Sequence, residues 1–103
     1  MHFVYILKLK NGMFYIGETS NLVNRIRAHF HCSGAKTTAK YGVDSLICYW
    51  ECESRELGRE LERYLKTLTR DKKFELISNP ILLGSKFGVK LKGEYKFVSN
   101  AQE

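Results

Sequence analysis

Apolar and β-branched residues alternate or cluster along three segments of the chain, and each segment is typical of a β-strand. These strands are predicted at about residues 2–9, 13–18 and 45–53. The segment from residue 31 to 44 contains glycine, threonine and lysine without a clear period. We therefore predict a basic loop there, with one short turn at most.

Helical spacing of apolar residues predicts three helices. They run from Ser20 to about residue 30, from Ser54 to about residue 69, and from Asp71 to just before Pro80. The first residue of each is a natural N-cap, because its side-chain oxygen can accept from a free backbone N–H. Leucines at positions 57, 61, 65 and 68 form the predicted buried stripe of the second helix.

The C-terminal segment contains three further apolar runs, at residues 81–83, 87–91 and 95–98. The last two flank a Lys-Gly-Glu turn and predict an added β-hairpin. No low-complexity linker separates this segment from the rest. We expect a main domain over residues 1–78 and an extension over residues 79–103 that packs on it.

An Asn-Gly pair at positions 11 and 12 predicts a hairpin between the first two strands. A two-residue turn would place Tyr5 and Tyr15 on opposite faces of the sheet. A three-residue loop would pair Leu9 with Met13, give Gly12 a positive φ, and bring both phenols to one face. If both phenols serve one site, the second register is required.

Composition indicates one small domain with an anionic partner. The chain has 103 residues, 44% of them hydrophobic, and a formal net charge of +6. That length suits a single domain, and no apolar run approaches the roughly 20 residues of a membrane span. The N-terminus lacks the features of a secretory signal, so a cytoplasmic location without membrane contact is expected. The positive charge favours nucleic acid but is equally compatible with a solvated surface.

The cysteine count argues against a disulfide framework. Cys48 and Cys52 lie in one predicted strand, where four residues span about 13 Å, too far for a disulfide. They are expected to be packing residues in a reducing compartment. His29, His31 and Cys32 invite a zinc interpretation, but no second ligand pair has a finger-like spacing, which disfavours structural zinc.

Four ordered motifs carry a resemblance to a known family. They are Val4-Tyr5-Ile6, Tyr15-Ile16-Gly17, the Thr19–Leu22 stretch continuing to Arg25 and His29, and Glu62-Arg63-Tyr64-Leu65-Lys66. Together they resemble the GIY-YIG nucleases, and residues 34–38 add similarity to the small stand-alone bacterial branch. The first motif is degenerate and the second is complete. The likeness extends from about residue 3 to residue 77.

The resemblance implies a small, mainly antiparallel sheet flanked by helices, an α/β (α+β) fold. It also implies an endonuclease that uses one Mg²⁺ or Mn²⁺ ion held by Glu62. Arg25 would stabilise charge on the phosphate, because a guanidinium stays protonated and offers two donors. Tyr15 would activate water, and Tyr5 and His29 would bind that water or the phosphate. Which phenol takes the proton stays open at the level of sequence.

Further residues are expected to contact the nucleic acid, with DNA favoured over RNA and no obligate protein partner. They are Gly17, Arg27, Lys36, Lys40 and Lys66. Gly17 opposite Tyr5 would leave room for a phosphate. Glu18 departs from the excision-repair branch, where this position is often basic, and could weaken phosphate binding or alter substrate choice.

Two other classes of function stay open. One is a catalytically silent nucleic-acid-binding module of the same fold, which the degenerate first motif and Glu18 would suit. The other is an interaction domain that docks through its C-terminal segment and binds no nucleic acid.

Overall fold

A computed structural model describes residues 1–31 and 33–99 of the chain. Cys32, one of the residues considered for zinc, and the end of the predicted extension lie outside that part. Within it, no helix is long and apolar enough to cross a membrane.

Within residues 1–31 and 33–99, four strands form one antiparallel sheet. They are β1 (His2–Leu9), β2 (Phe14–Thr19), β3 (Val43–Cys52) and β4 (Lys96–Ser99), and they lie in the order β2-β1-β3-β4. The predicted antiparallel sheet flanked by helices is confirmed. Strands flank β1 at both edges and helices pack on both of its faces, so its four residues from Val4 to Leu7 are almost fully buried.

In the part of the chain that the structure describes, four α-helices and one short 3₁₀ helix connect and cover the strands. They are α1 (Leu22–Phe30), α2 (Lys36–Tyr41), α3 (Arg55–Thr67), α4 (Arg70–Ser78) and the 3₁₀ helix Pro80–Leu82. Ser54 caps α3 as predicted, since its side chain accepts from the backbone N–H of Leu57. Leu61 and Leu65 are the fully buried part of the predicted leucine stripe.

The two faces of the sheet carry separate cores. On one face, α3 and α4 pack their buried leucines against even-numbered strand residues and Trp50. On the other face, Leu22 and Ile26 of α1 pack against a cluster that contains Tyr5, Leu7 and Leu9. Alternate residues of β1 therefore serve different layers, as the period of a strand requires.

The hairpin between β1 and β2 has the three-residue loop. Leu9 and Met13 are joined by a backbone hydrogen bond of 2.8 Å, and Gly12 has a φ of 88°. Tyr5 consequently lies opposite Gly17, and Leu7 lies opposite Tyr15. The register that places both phenols on one face is confirmed.

Two predicted N-caps are wrong by one or two residues. Asn21, not Ser20, caps α1 through its bond from the N–H of Asn24. Thr69, not Asp71, caps α4 by accepting from the N–H of Lys72. In each case a competing cap residue stands within two positions of the predicted one, and the sequence pattern does not rank the two.

The predicted loop at residues 31–44 contains the short helix α2. Thr38 is its one buried residue, so α2 has no apolar stripe that a periodicity argument could detect. Cys48 and Cys52 are free and buried, as predicted.

The predicted C-terminal hairpin is wrong. Residues 87–91 form turns, in which Gly88 has a φ of 65°, and they pair with no strand beyond an isolated bridge between Leu83 and Phe87. The last apolar run does form a strand, β4, but it pairs with β3. Phe87 is buried in the core with Trp50 and Leu61. Burial of its ring therefore decides the conformation of this segment, and the segment does not pair as a hairpin strand.

Candidate active site

The centre of the candidate site is a buried chain of hydrogen bonds from β1 to α2. The Tyr5 hydroxyl lies 2.7 Å from His29 Nε2, and His29 Nδ1 lies 2.8 Å from Thr38 Oγ1. Thr38 Oγ1 in turn donates to the carbonyl of Ala35 at 2.9 Å. The side chains of Tyr5, His29 and Thr38 expose 1%, 0% and 0% of their surface.

These bonds determine the tautomer of His29. Because the Thr38 proton is used on Ala35, Thr38 must accept the proton of His29 Nδ1. His29 Nε2 then carries a lone pair and accepts from the Tyr5 hydroxyl. His29 is thus a neutral imidazole whose two nitrogens are both engaged.

Burial acts on both titratable members of this chain. It raises the pKa of Tyr5 to about 12, because the phenolate loses solvation there. Burial, together with the positive charge of Arg25, lowers the pKa of His29 to about 4. At neutral pH, Tyr5 therefore keeps its proton and His29 stays uncharged.

Two glycines make room for this chain. A Cβ at Gly17 would lie 2.3 Å from the Tyr5 hydroxyl oxygen, and a Cβ at Gly34 would lie 2.5 Å from His29 Nδ1. Real Cβ atoms do not approach so closely, so both positions favour glycine. The space beside Gly17 is filled by the Tyr5 phenol, which corrects the expectation that it would be free for a phosphate.

Arg25 lies one helical turn before His29 on α1 and faces both phenols. Hydrogen bonding to the Tyr5 phenol raises the pKa of Arg25, with a smaller contribution from Tyr15. Its guanidinium is partly exposed. A fixed positive charge therefore lies between the buried phenol and solvent.

Tyr15 is the more accessible phenol. It is half-buried, and its ring centroid lies 5.2 Å from that of His29, at an interplanar angle of 59°. The rings of Tyr5 and His29 are 5.5 Å apart. The imidazole therefore packs against both phenols, while Tyr15 keeps contact with solvent.

Glu62 comes from α3, which packs on the other face of the sheet and contacts the edge strand β2. Its carboxylate is 22% exposed and lies 3.1 Å from the ammonium of Lys66. Its charge also contributes to the raised pKa of Tyr5. Tyr5, Tyr15, Arg25 and His29 are therefore in mutual contact, and the charge of Glu62 acts on Tyr5 from the neighbouring helix α3.

A metal ion would find a single acidic ligand here. Within residues 1–31 and 33–99, no three His, Cys, Asp or Glu side chains are grouped as a metal site. One accessible carboxylate does suit Mg²⁺, which usually retains several waters and takes one or two carboxylates plus substrate oxygens. Glu62 fits that role, whereas a fully protein-ligated ion would not fit.

The expected nucleic-acid contacts are scattered. Arg27 is exposed and borders an apolar groove beside Ile26 and Phe30. Lys36 and Lys40 are exposed on α2, the latter over the ring of Tyr41. Lys66 contacts a proposed site residue, Glu62.

Sequence reasoning missed the structural role of Thr38. In the sequence Thr38 contributes only to the family likeness, whereas in the structure it is a hydrogen-bond partner of His29. The available signal was a Gly-x-x-x-Thr spacing at positions 34–38, shortly after a histidine.

Comparison with known proteins identifies the same region. The family model of the GIY-YIG catalytic domain matches residues 1–75. A UPF0213 protein of Clostridium perfringens is 42% identical over 79 residues, which are 77% of this chain and 85% of that protein. A UPF0213 protein of Halalkalibacterium halodurans is 39% identical over 77 residues, which are 75% of this chain and 82% of that protein.

A solved structure has a similar fold. The solution NMR structure of a UPF0213 protein from Bacillus halodurans gives a TM-score of 0.51 at 36% identity, covering 82% of this chain and 94% of that one. The matched family region ends before the 3₁₀ helix and β4.

Proposed function

The chain belongs to the GIY-YIG family, and on that premise we propose that it is a divalent-metal-dependent endonuclease that hydrolyses phosphodiester bonds, with DNA as the substrate. The observation that carries this proposal is the contact among two phenols, a neutral imidazole and a guanidinium, with the charge of the Glu62 carboxylate acting on the buried phenol. Hydrolysis of a phosphodiester needs a base for water, compensation of charge on the phosphoryl oxygens and stabilisation of the leaving oxygen.

Arg25 binds the scissile phosphate. Its guanidinium is partly exposed and is held between the phenols, so it can present paired donors to two phosphate oxygens. The charge is fixed before substrate arrives, which reduces the reorganisation needed as negative charge develops.

Tyr15 activates the attacking water. Two properties of Tyr5 support this assignment: its hydroxyl is buried, and its pKa of about 12 makes the phenolate harder to form. The neighbouring His29, with a pKa of about 4, is a weak acceptor for the Tyr5 proton. Tyr5 and His29 therefore act by packing and orienting Arg25 and Tyr15, and Tyr15 remains the phenol that water can reach.

Glu62 holds the single metal ion. When bound, that ion supplies Lewis-acid stabilisation of phosphate oxygens. Glu62 would have to give up its contact with Lys66 to hold the ion, and this would cost little because the Lys66 side of the pair is exposed. Lys66 then remains close enough to attract the phosphate backbone.

A binding module without catalysis is the second candidate. Glu18 favours it, since a carboxylate beside Arg25 opposes phosphate binding. The two candidates differ in one measurable outcome, because only the enzyme changes the length of the nucleic acid.

The test is incubation of the protein with labelled single-stranded, duplex and branched DNA and the matching RNA forms, each with Mg²⁺, Mn²⁺ or EDTA. The nuclease proposal predicts cleavage of at least one DNA form with a metal ion and none with EDTA. Binding without cleavage would instead establish the silent module. Absence of both would leave the interaction domain.

A further inference from the structure

A polar cleft of about 430 Å³ lies next to the candidate active site. Its lining residues come from the start of β1, the end of β2 and the first residues of α1 and α3: His2, Glu18, Thr19, Ser20, Arg25 and Arg55. Arg25 belongs both to this cleft and to the site with the phenols. The cleft is thus a continuation of that site along the sheet edge.

Positive side chains outnumber the single carboxylate in the cleft. Arg25 and Arg55 contribute two cations, and within the described residues no ion pair involves Arg55. The one carboxylate, Glu18, is in contact with His2 Nε2. His2 in turn is held against α3, where a Cβ at Gly58 would lie 2.7 Å from its ring. The Glu18 carboxylate is therefore already engaged by His2, and Arg55 is available to a ligand.

Helix ends reinforce the positive field. Arg55 is the first residue of α3, whose first turn also contains Glu56, and Ser20 immediately precedes the cap of α1, which has no acidic residue in its first turn. Both helices begin beside the same cleft, where the positive end of a helix dipole stabilises an anion. Two arginines, a serine hydroxyl and two helix N-termini together suit a phosphate.

We propose that this cleft binds the backbone phosphate adjacent to the scissile one, with Arg55 as its principal ligand. The inference rests on the proposed function, because it assumes that Arg25 holds the scissile phosphate. Arg25 lines both the cleft and the site with the phenols. A nucleic-acid strand with one phosphate at the tyrosines can therefore continue through the cleft toward Arg55 or in the opposite direction. The positive charge of Arg55 favours the route through the cleft, and the negative charge of Glu18 limits its affinity.

Binding of a short fluorescein-labelled DNA duplex, measured by anisotropy in the Glu62→Gln background, tests the cleft without depending on cleavage. Arg55→Ala should weaken binding about three- to tenfold at low salt and reduce the slope of log K against log salt by about 0.9. Arg55→Lys should restore most of the affinity. The control is Lys72→Ala, which removes one exposed charge from α4 and should change neither quantity appreciably.

A second variant examines the opposing carboxylate. Glu18→Gln retains an acceptor for His2 but removes the charge, so it should strengthen binding of the same duplex. Titration with inorganic phosphate, followed by the amide signals of Thr19 and Ser20, should shift those signals in the wild type and not in Arg55→Ala.

The outcomes separate the two proposals. If the protein cleaves DNA while Arg55→Ala and Lys72→Ala behave alike, the phosphate cleft is refuted and the nuclease assignment stands. If no nucleic acid is cleaved but Arg55→Ala selectively lowers affinity and salt slope, phosphate binding by the cleft is supported, while the nuclease assignment and the position of the cleft beside a scissile phosphate both fail.

Discussion

Tyr5 and His29 share a buried hydrogen bond of 2.7 Å, although they are 24 positions apart and belong to different elements. The bond forms because Tyr5 lies on the sheet face that α1 covers and because Thr38 holds the opposite nitrogen of the imidazole. A strand, a helix and a short helix are thereby tied to one another at the point where Arg25 and Tyr15 meet.

Removing the Thr38 hydroxyl should loosen this arrangement. Thr38→Val is nearly isosteric but leaves the His29 Nδ1 proton without an acceptor, and an unsatisfied buried donor costs about 1–3 kcal/mol. We expect that loss in the free energy of unfolding by urea. Thr37→Val changes an exposed threonine on the same helix and should alter stability far less. Equal effects would mean that the hydrogen bond contributes nothing specific.

Stability should fall on acidification because of His29. Its pKa is about 4 in the folded protein, below its ordinary value near 6.5, so the unfolded chain binds the additional proton between these values. The contribution is fully present above about pH 6.5 and decreases as pH falls toward 4, by about 1–2 kcal/mol at pH 5.

Urea unfolding at pH 7 and pH 5 measures that decrease. His29→Gln should reduce it, whereas His31→Gln, at an exposed position, should retain it. A pH dependence unchanged by His29→Gln would contradict the assignment of a neutral buried imidazole.

The close approach of Gly17 and Tyr5 predicts strong coupling between these two positions. Gly17→Ala should displace the Tyr5 ring, because the added Cβ would lie 2.3 Å from the hydroxyl oxygen. Stability and cleavage rate should both decline. In a Tyr5→Ala background the same change should have little further effect, as a double-mutant cycle would reveal. Additive losses would show that the clash is relieved elsewhere.

The two phenols should differ in their importance for rate. Tyr15→Phe removes the assigned base and should lower the cleavage rate on the order of 10²-fold or more, the scale of general acid–base catalysis. Tyr5→Phe removes a buried bond to His29 and should cost less in rate, while reducing stability. Single-turnover cleavage and urea unfolding measure the two effects. A larger rate loss in Tyr5→Phe would transfer the base role to Tyr5.

The sequence was most informative where local geometry determined the outcome. The Asn-Gly turn allows two registers, and only the register with Leu9 opposite Met13 brings Tyr5 and Tyr15 to one face. That requirement follows from the two-residue period of a strand, and the structure adopts this register. The spacing of Arg25 and His29 likewise follows from one turn of helix.

The predictions of secondary structure failed in two situations. In one, the buried side chain is polar; in the other, tertiary contacts decide which of several locally allowed conformations forms. Helix α2 buries Thr38 through a hydrogen bond, so hydrophobic periodicity does not detect it. The segment around Phe87 has a strand-like composition, yet its aromatic ring is taken into the core and the backbone turns instead. Whether β4 pairs with its neighbour in sequence or with β3 depends on which sheet edge is open.

Metal-dependent cleavage by Glu62→Gln, compared with the wild type, is the most direct test of the proposed nuclease. The substitution removes the one carboxylate assigned to the metal ion, so we expect cleavage to be abolished while the melting temperature and most of the DNA affinity are retained. Glu75→Gln is the matched control. This substitution on α4 breaks an exposed ion pair between Glu75 and Lys86, and the variant should cleave normally. Full activity in folded Glu62→Gln, or cleavage by the wild type that persists in EDTA, would contradict the account.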